Sequence, residues 1–333
     1  IVDHLPPPAP PSFNLDGTLA GKATFDLAGE YFDDHEDKYT SRDDTITGPL
    51  RPWGLGPRVP MYAVSPWSKG GFVNSETFDH TAVARFIEKR FGVTIPAISP
   101  WHRKMCGDLT SCFDFSHEGD RAFPALPDAK GSGAHLQRHL ARPKLLPPRG
   151  NQELTQESGL RRARALPYRL HVQAESGERD VRLLFRNQGT VGATFHVYDR
   201  FHLDRLPRRY AVEAGKQIDD VWQREDSGDF DLLVLSHNGF MRTFRAKGHA
   251  ALPQVGERYG NRNQTIELAI ALAGQAPASI TLGNDRYAIN PAQTFAANPQ
   301  GTRAVSWSAR ESHGWYDFSL SAPDVEIGFA GKI

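Results

Sequence analysis

Cysteine is scarce in this 333-residue chain: only Cys106 and Cys112 occur, with five residues between them. That excludes a disulfide-rich scaffold, and the spacing matches no common zinc motif. The pair is open to two readings, a local disulfide in an oxidising compartment or two buried thiols. An excess of either charge is also missing, since Lys+Arg and Asp+Glu both number 39. The basic footprint of a nucleic-acid partner is therefore absent. No apolar run approaches the roughly 18 residues of a membrane helix, and no signal-peptide pattern opens the chain. Methionine occurs only at 61, 105 and 241, and the first residue is Ile1. Residues are expected before Ile1. There is no G-x-S-x-G, P-loop, H-E-x-x-H or C-x-x-C motif to carry chemistry by itself.

What is present centres on residues 54–91. At about 150 residues per domain, the length predicts two or three domains. A Gly/Pro-rich loop, Gly54 to Arg58, leads into Val59–Ser65, a mostly apolar run that reads as a buried strand. Pro66 ends it, and Gly70-Gly71 marks a turn. A helix follows Asp79-His80-Thr81, with Val83, Phe86, Ile87 and Phe91 on one apolar face. Asp79 and His80 then lie beyond a strand's carboxyl end, where α/β enzymes keep polar groups. A helix N-terminus also attracts phosphate through its free N–H groups and dipole. The plainer alternative makes Asp79 an N-cap and leaves His80 solvated.

The flanks differ in texture. Residues 1–53 look irregular and carry a polyproline-like arm at 5–11. The acidic run 30–45 reads as a surface loop, because it lacks the glycine of an EF-hand. Residues 116–165 are polar and Pro/Gly-rich, with a linker at their end. From about 166, short alternating runs recur: 168–173, 181–186, 193–198, 209–213, 231–235 and 241–244. This is an all-β pattern. It repeats itself, since Val181–Gly248 aligns with Ile266–Ile333 at an offset of 85 or 86 residues and lays Trp222 on Trp307. Two tandem β-sandwich modules are expected. His171 and His196 fall in expected strands and read as structural.

Several runs resemble the bacterial phosphocholine-specific phospholipases C, which group with acid phosphatases in the alkaline phosphatase superfamily. They include Gly54-Leu55-Gly56-Pro57-Arg58-Val59-Pro60, Ser65-Pro66-Trp67-Ser68-Lys69-Gly70-Gly71, Phe78-Asp79-His80-Thr81, Ser99-Pro100-Trp101 and Cys106-Gly107-Asp108-Leu109-Thr110-Ser111. Asp3-His4-Leu5-Pro6-Pro7-Pro8 is similar to that family's Asp-His-Val-Pro-Pro-Pro run. Further matches continue through Phe195–Arg200, Pro207–Tyr210 and Asn238-Gly239-Phe240.

The resemblance implies an α/β C-terminal portion of an alkaline-phosphatase-like phosphoesterase domain at 1–147. A linker at 148–165 and two β-sandwich modules at 166–250 and 260–333 follow. It implies a phospholipase C that cleaves phosphatidylcholine to diacylglycerol and phosphocholine, present here as a C-terminal half without its nucleophile. Such an enzyme uses nucleophilic phosphoryl transfer at a divalent metal, most of whose ligands would precede Ile1. Asp79, His80 and His4 are then the catalytic candidates and Asp3 a metal ligand. Arg58 and Trp67 would bind substrate, with Trp53 and Trp101 also able to box a quaternary ammonium or simply to pack. The implied partner is a phospholipid with a choline head group, met at a membrane surface by a secreted or periplasmic protein. The alternatives are an acid phosphatase or general phosphodiesterase of the same superfamily, and a non-catalytic β-sandwich binding module.

Overall fold

The computed structural model describes residues 6–33, 50–123, 125, 128, 130–140, 161–271, 279–296 and 301–333. Asp3, His4, residues 34–45 of the acidic run and residues 141–160 of the connection lie outside the described residues. The chain divides into two units. One comprises residues 1–61, 75–111 and 165–333, and the other residues 62–74 and 112–164.

The first unit is mostly β-sheet. Its N-terminal part has two short antiparallel pairs, β1 (Ser12–Phe13) with β2 (Leu19–Ala23) and β3 (Tyr31–Asp33) with β4 (Leu50–Pro52). Helices α1 (Thr81–Phe91) and α2 (Pro100–Met105) follow. Seven strands come next: β5 (Leu170–Ser176), β6 (Asp180–Asn187), β7 (Ala193–Asp199), β8 (Arg208–Val212), β9 (Gln217–Gln223), β10 (Phe230–Leu235) and β11 (Met241–Ala246). Another seven complete the unit: β12 (Gln254–Gly260), β13 (Thr265–Ala271), β14 (Ser279–Gly283), β15 (Gln293–Ala296), β16 (Thr302–Ser308), β17 (Trp315–Ala322) and β18 (Val325–Lys332).

The strands form because apolar residues alternate along them. In β6, Val181, Leu183 and Phe185 are buried while Arg182 points outward; β10 buries Phe230, Leu232 and Val234. Strands β5, β6 and β9 make one three-stranded sheet, and β12, β13 and β16 another. Apart from the β3–β4 pair, the remaining strands form one ten-stranded sheet in the order β1-β2-β8-β7-β10-β11-β18-β17-β14-β15. A shift of seven strands maps one three-stranded sheet onto the other, and β8-β7-β10-β11 of the large sheet onto β15-β14-β17-β18, leaving β1 and β2 outside the repeat. Trp222 on β9 and Trp307 on β16 are equivalent under this shift. The halves join where β11 pairs antiparallel with β18, Arg242 opposite Phe329. One continuous apolar core underlies all of it.

Two expectations for residues 54–91 fail. Val59–Ser65 is not a strand, and Tyr62 and Val64 are 87% and 93% exposed. Pro57, Pro60 and Pro66 deny that run ladder donors. Helix α1 forms where the periodicity puts it, but Val83, Ile87 and Phe91 on its apolar face are exposed. The other face makes the contacts. Ala82 is buried, Arg85 reaches the carbonyls of His102 and Cys106, and Glu88 pairs with Arg103 at 2.8 Å.

In the second unit, residues 65–68 form a turn in which Ser68 Oγ donates to the Ala63 carbonyl at 2.7 Å. Val73 pairs with the 162–164 backbone, and α3 (Ser132–Leu140) lies within the connection that reads as irregular in sequence.

Candidate functional site

The polar centre of the first unit is built on Asp79. Its Oδ1 accepts hydrogen bonds from Thr81 N (3.1 Å) and Thr81 Oγ1 (2.7 Å), and its carbonyl accepts from Ala82 N (3.1 Å). Asp79 therefore caps α1 from just outside it, while His80 takes the N-cap position with helical backbone angles and no side-chain cap bond. The other carboxylate oxygen, Oδ2, lies 2.6 Å from His102 Nδ1.

His102 is held by the start of α2. Ser99 is the N-cap, its Oγ accepting from His102 N at 3.3 Å, and Pro100 occupies the first turn. Trp101 and Met105 are fully buried and anchor the helix against Ala211 of β8. Trp101 also stands edge-on to the His102 ring at 5.0 Å. The far end of α2 docks on the sheet, where Gly192 N donates to the Lys104 carbonyl at 2.9 Å and Lys104 pairs with Glu213 at 2.9 Å.

The other imidazole nitrogen, Nε2, faces Glu30 Oε2 at 3.7 Å. Glu30 is only 1% exposed, and its Oε2 has no hydrogen-bond partner among the described residues. The hydrogen bond that His102 Nδ1 makes to the Asp79 carboxylate raises the His102 pKa against the opposing effect of burial, and Glu30 adds to it. Burial works to raise the Asp79 pKa, but His102 and Thr81 together bring it below the usual value. The imidazole thus lies between the side chains of Asp79 and Glu30, in surroundings that favour its protonated form. The adjacent Cys106 thiol is pushed far up by burial and by the Asp79 charge, so it is neutral.

Asp79, His102 and Cys106 bring one oxygen, one nitrogen and one sulfur within 4.8 Å of one another. With the orphaned Glu30 oxygen beside them, this mixed donor set fits a zinc-class divalent ion better than magnesium or calcium, which prefer oxygen alone.

The other expected site residues are dispersed in character. His80 and Arg58 are exposed. Trp67, in the second unit, is half-buried; its Nε1 donates to the His117 carbonyl at 3.2 Å and its ring packs on Phe115. Trp101 is core, whereas Trp53 is exposed and packs at a tilt on Phe32, ring centroids 4.3 Å apart. Cys106 and Cys112 are not joined in a disulfide. No helix among the described residues is long and apolar enough to cross a membrane. Sequence reasoning missed His102 and Glu30. The Ser99-Pro100 helix start was a readable sign that the next residues sit in a first helical turn. Nothing in the acidic 30–45 run marked Glu30 as its buried member.

The class of protein is given by comparison: a phosphoesterase, and so a hydrolase. Residues 1–94 match the phosphoesterase family, and residues 162–249 and 253–331 match "Bacterial phospholipase C, C-terminal domain". The chain belongs to the bacterial phospholipase C family. It is 43% identical to a non-hemolytic phospholipase C of Pseudomonas aeruginosa, over all of this chain and 49% of that protein. Identity is 38% to a non-hemolytic phospholipase C of Burkholderia pseudomallei, over all of this chain and 47% of that one. Against a hemolytic phospholipase C of P. aeruginosa it is 34%, over all of this chain and 48% of the relative. The chain thus spans about half the length of the curated relatives it matches. Asp79 falls inside the phosphoesterase match, while His102 and Cys106 fall between the two matched regions.

Proposed function

We propose that this chain is part of a phospholipase C that hydrolyses phosphatidylcholine to diacylglycerol and phosphocholine. The observation that carries the proposal is the Asp79–His102 contact, 2.6 Å long, backed by the buried Glu30 in a phosphoesterase-matched setting. Asp79 fixes the imidazole through Nδ1 and favours its protonated form. The Nε2–H edge then holds a proton for the departing diacylglycerol oxygen. A divalent ion here would be the alternative to that proton: binding would require His102 and Cys106 to give up their protons, after which they and Asp79 would hold the ion and it would polarise a phosphate oxygen. His80, one residue from Asp79 and exposed, remains a second catalytic candidate, as does His4, with Asp3 as a metal ligand. Arg58 and Trp67 remain candidates for phosphate and choline.

The same proposal includes two tandem β-sandwich modules, at about 166–250 and 260–333, following a phosphoesterase portion. The seven-strand shift and the two separate C-terminal-domain matches support it. Export to a secreted or periplasmic location and transient membrane contact belong to it too, because the substrate is a membrane lipid.

The test is turnover of p-nitrophenylphosphorylcholine by the complete protein. His102→Gln and Asp79→Asn are each expected to lower kcat by about 100-fold or more. Asp79→Asn should also bring the His102 titration, read by NMR, down toward its ordinary value. Full kcat in both variants would refute the role of the pair, and turnover of p-nitrophenyl phosphate in preference to the choline diester would refute the substrate.

A further inference from the structure

A second cluster of metal-ligating side chains lies on the β7–β11 repeat, away from α1 and α2 in sequence. Asp199 ends β7, His202 sits in the loop leading to β8, and Glu225 opens the turn from β9 to β10. One ligand atom from each lies within 4.8 Å of the others. His202 Nε2 and Glu225 Oε1 are 2.7 Å apart.

The backbone fixes all three. The Asp199 carbonyl accepts from His202 N at 3.1 Å, and the His202 carbonyl accepts from Arg205 N at 3.0 Å. Asp199 Oδ1 accepts from Phe201 N at 3.1 Å, which turns the loop back over its own start. On the other side, Glu225 N donates to the Asp229 carbonyl at 2.9 Å, and its own carbonyl accepts from Gly228 N at 2.7 Å. Gly228 takes a positive φ of 85°, which suits this tight turn. The ligands are therefore supplied by two wound loops joined to adjacent strands.

Beside them is a cavity of about 150 Å³, lined by Tyr198, Asp199, His202, Arg208 and Trp222 among others. It has room for an ion with several waters, each water occupying about 30 Å³ of liquid volume. Two carboxylates and one imidazole are the donors of a zinc-class site with open positions, because calcium and magnesium seldom take nitrogen. Bond lengths of about 2.1 Å put tetrahedral ligand atoms about 3.4 Å apart, so small side-chain rotations would close the set around an ion.

We propose that Asp199, His202 and Glu225 bind a divalent transition-metal ion of zinc class, at a site independent of the Asp79 cluster and of the phospholipase reading. The ion clips the β7–β8 loop to the β9–β10 turn. That loop carries the exposed Phe201 and Leu203, so their placement depends on the clip.

The experiment is zinc titration of chelator-treated protein, followed by isothermal calorimetry and thermal melting. Magnesium serves as the comparison ion. His202→Ala and Glu225→Gln are each expected to bind one equivalent of zinc fewer than the parent and to lose the corresponding rise in Tm. Asp79→Asn, which touches the other cluster, is expected to keep this equivalent. Both substituted residues are partly exposed at loop positions, and far-UV circular dichroism verifies that each variant folds. Equal zinc stoichiometry in parent, His202→Ala and Glu225→Gln would overturn the proposal, leaving His202–Glu225 as an ion pair. Equal stabilisation by magnesium would overturn the zinc-class assignment.

Discussion

Glu257→Gln should be among the most damaging single substitutions in the β region. Arg242 on β11 is completely buried, and the Glu257 side chain on β12 is 2% exposed. The pair is bidentate, Nε to Oε1 at 2.9 Å and Nη2 to Oε2 at 2.6 Å. The remaining donors reach the Met241 carbonyl (2.7 Å), the Ala330 carbonyl (3.0 Å), Tyr259 OH (2.9 Å) and Tyr316 OH (3.1 Å). Burial alone works to lower the Arg242 pKa, but Glu257 and the two tyrosines raise it well above the usual value, so the guanidinium stays charged. An amide at 257 leaves that charge buried without its carboxylate. Removing one partner of a buried pair costs about 3–5 kcal/mol. At about 2–4 °C per kcal/mol for a unit of this size, Tm should fall by about 6–20 °C. Urea unfolding read by tryptophan fluorescence measures the loss directly. A double variant, Arg242→Met with Glu257→Leu, removes both charges and should recover much of it. A loss under about 1 kcal/mol in Glu257→Gln, or a double variant as weak as the two singles combined, would refute the reasoning.

Two further perturbations follow from buried contacts. His237 and His196 are held neutral by burial, with pKa values lowered to about 4 and about 3. Their stability contribution is complete above the unfolded value of about 6.5 and is lost as pH falls toward the folded values, by up to about 1.4 kcal/mol per pH unit for each. His102, with a raised pKa, contributes in the opposite sense: its share is complete below that unfolded value and is lost as pH rises through the folded one. The urea midpoint should therefore drop between pH 6.5 and 5, and His196→Leu should make the slope shallower, with His171, whose pKa burial also lowers, and His237 carrying the rest; a flat profile in the parent would contradict the neutral histidines. Gly192→Ala puts a Cβ 2.5 Å from the Lys104 carbonyl, and overpacking of this kind costs about 1–3 kcal/mol. An unchanged Tm would show that the α2 end is not packed on β7 as described.

The β region was legible because its signal is local. Alternation in Val181–Arg186 and Phe230–Leu235 follows from one buried face, and it places strands within a residue or two. Gln217–Gln223 escaped, since Asp219 and Asp220 break its apolar alternation, and Gln254–Gly260 falls between the two expected modules. The site was legible only by half. Asp79 stood out because it precedes a helix, but its partner lies 23 residues away, and no local pattern links the two. Periodicity also found the apolar stripe of α1 correctly while misassigning its role. Val83, Ile87 and Phe91 of the stripe are exposed, and the polar face carries Arg85 and Glu88 into α2. A period shows that a helix has two faces; which one packs depends on what the rest of the chain offers.

The two seven-strand repeats differ where function differs. In the first, β8 is not an edge, because β2 pairs with it in parallel, Gly21 opposite Arg209. A Cβ at Gly21 would collide with the Arg209 carbonyl, and its φ of 124° suits glycine alone. Arg209 adds a hydrogen bond to Ser12 Oγ at 2.9 Å, and Glu213 binds both Thr24 and Lys104. His237 reaches across to Thr77 Oγ1 at 2.9 Å, two residues before Asp79. In the second repeat the equivalent strand, β15, ends the ten-stranded sheet among the described residues. At the repeat offset of 85, Arg209 falls on Thr294, and His237 falls near Ala322-Pro323, at the two-residue turn into β18. None of these can make the same contacts. One repeat thus acts as the platform that positions Asp79 and His102, and its twin lacks the groups to do so. The Arg242 cluster has the same one-sidedness: its counterpart on β18 is Ile327, so a single buried guanidinium pins the joint between two otherwise similar halves.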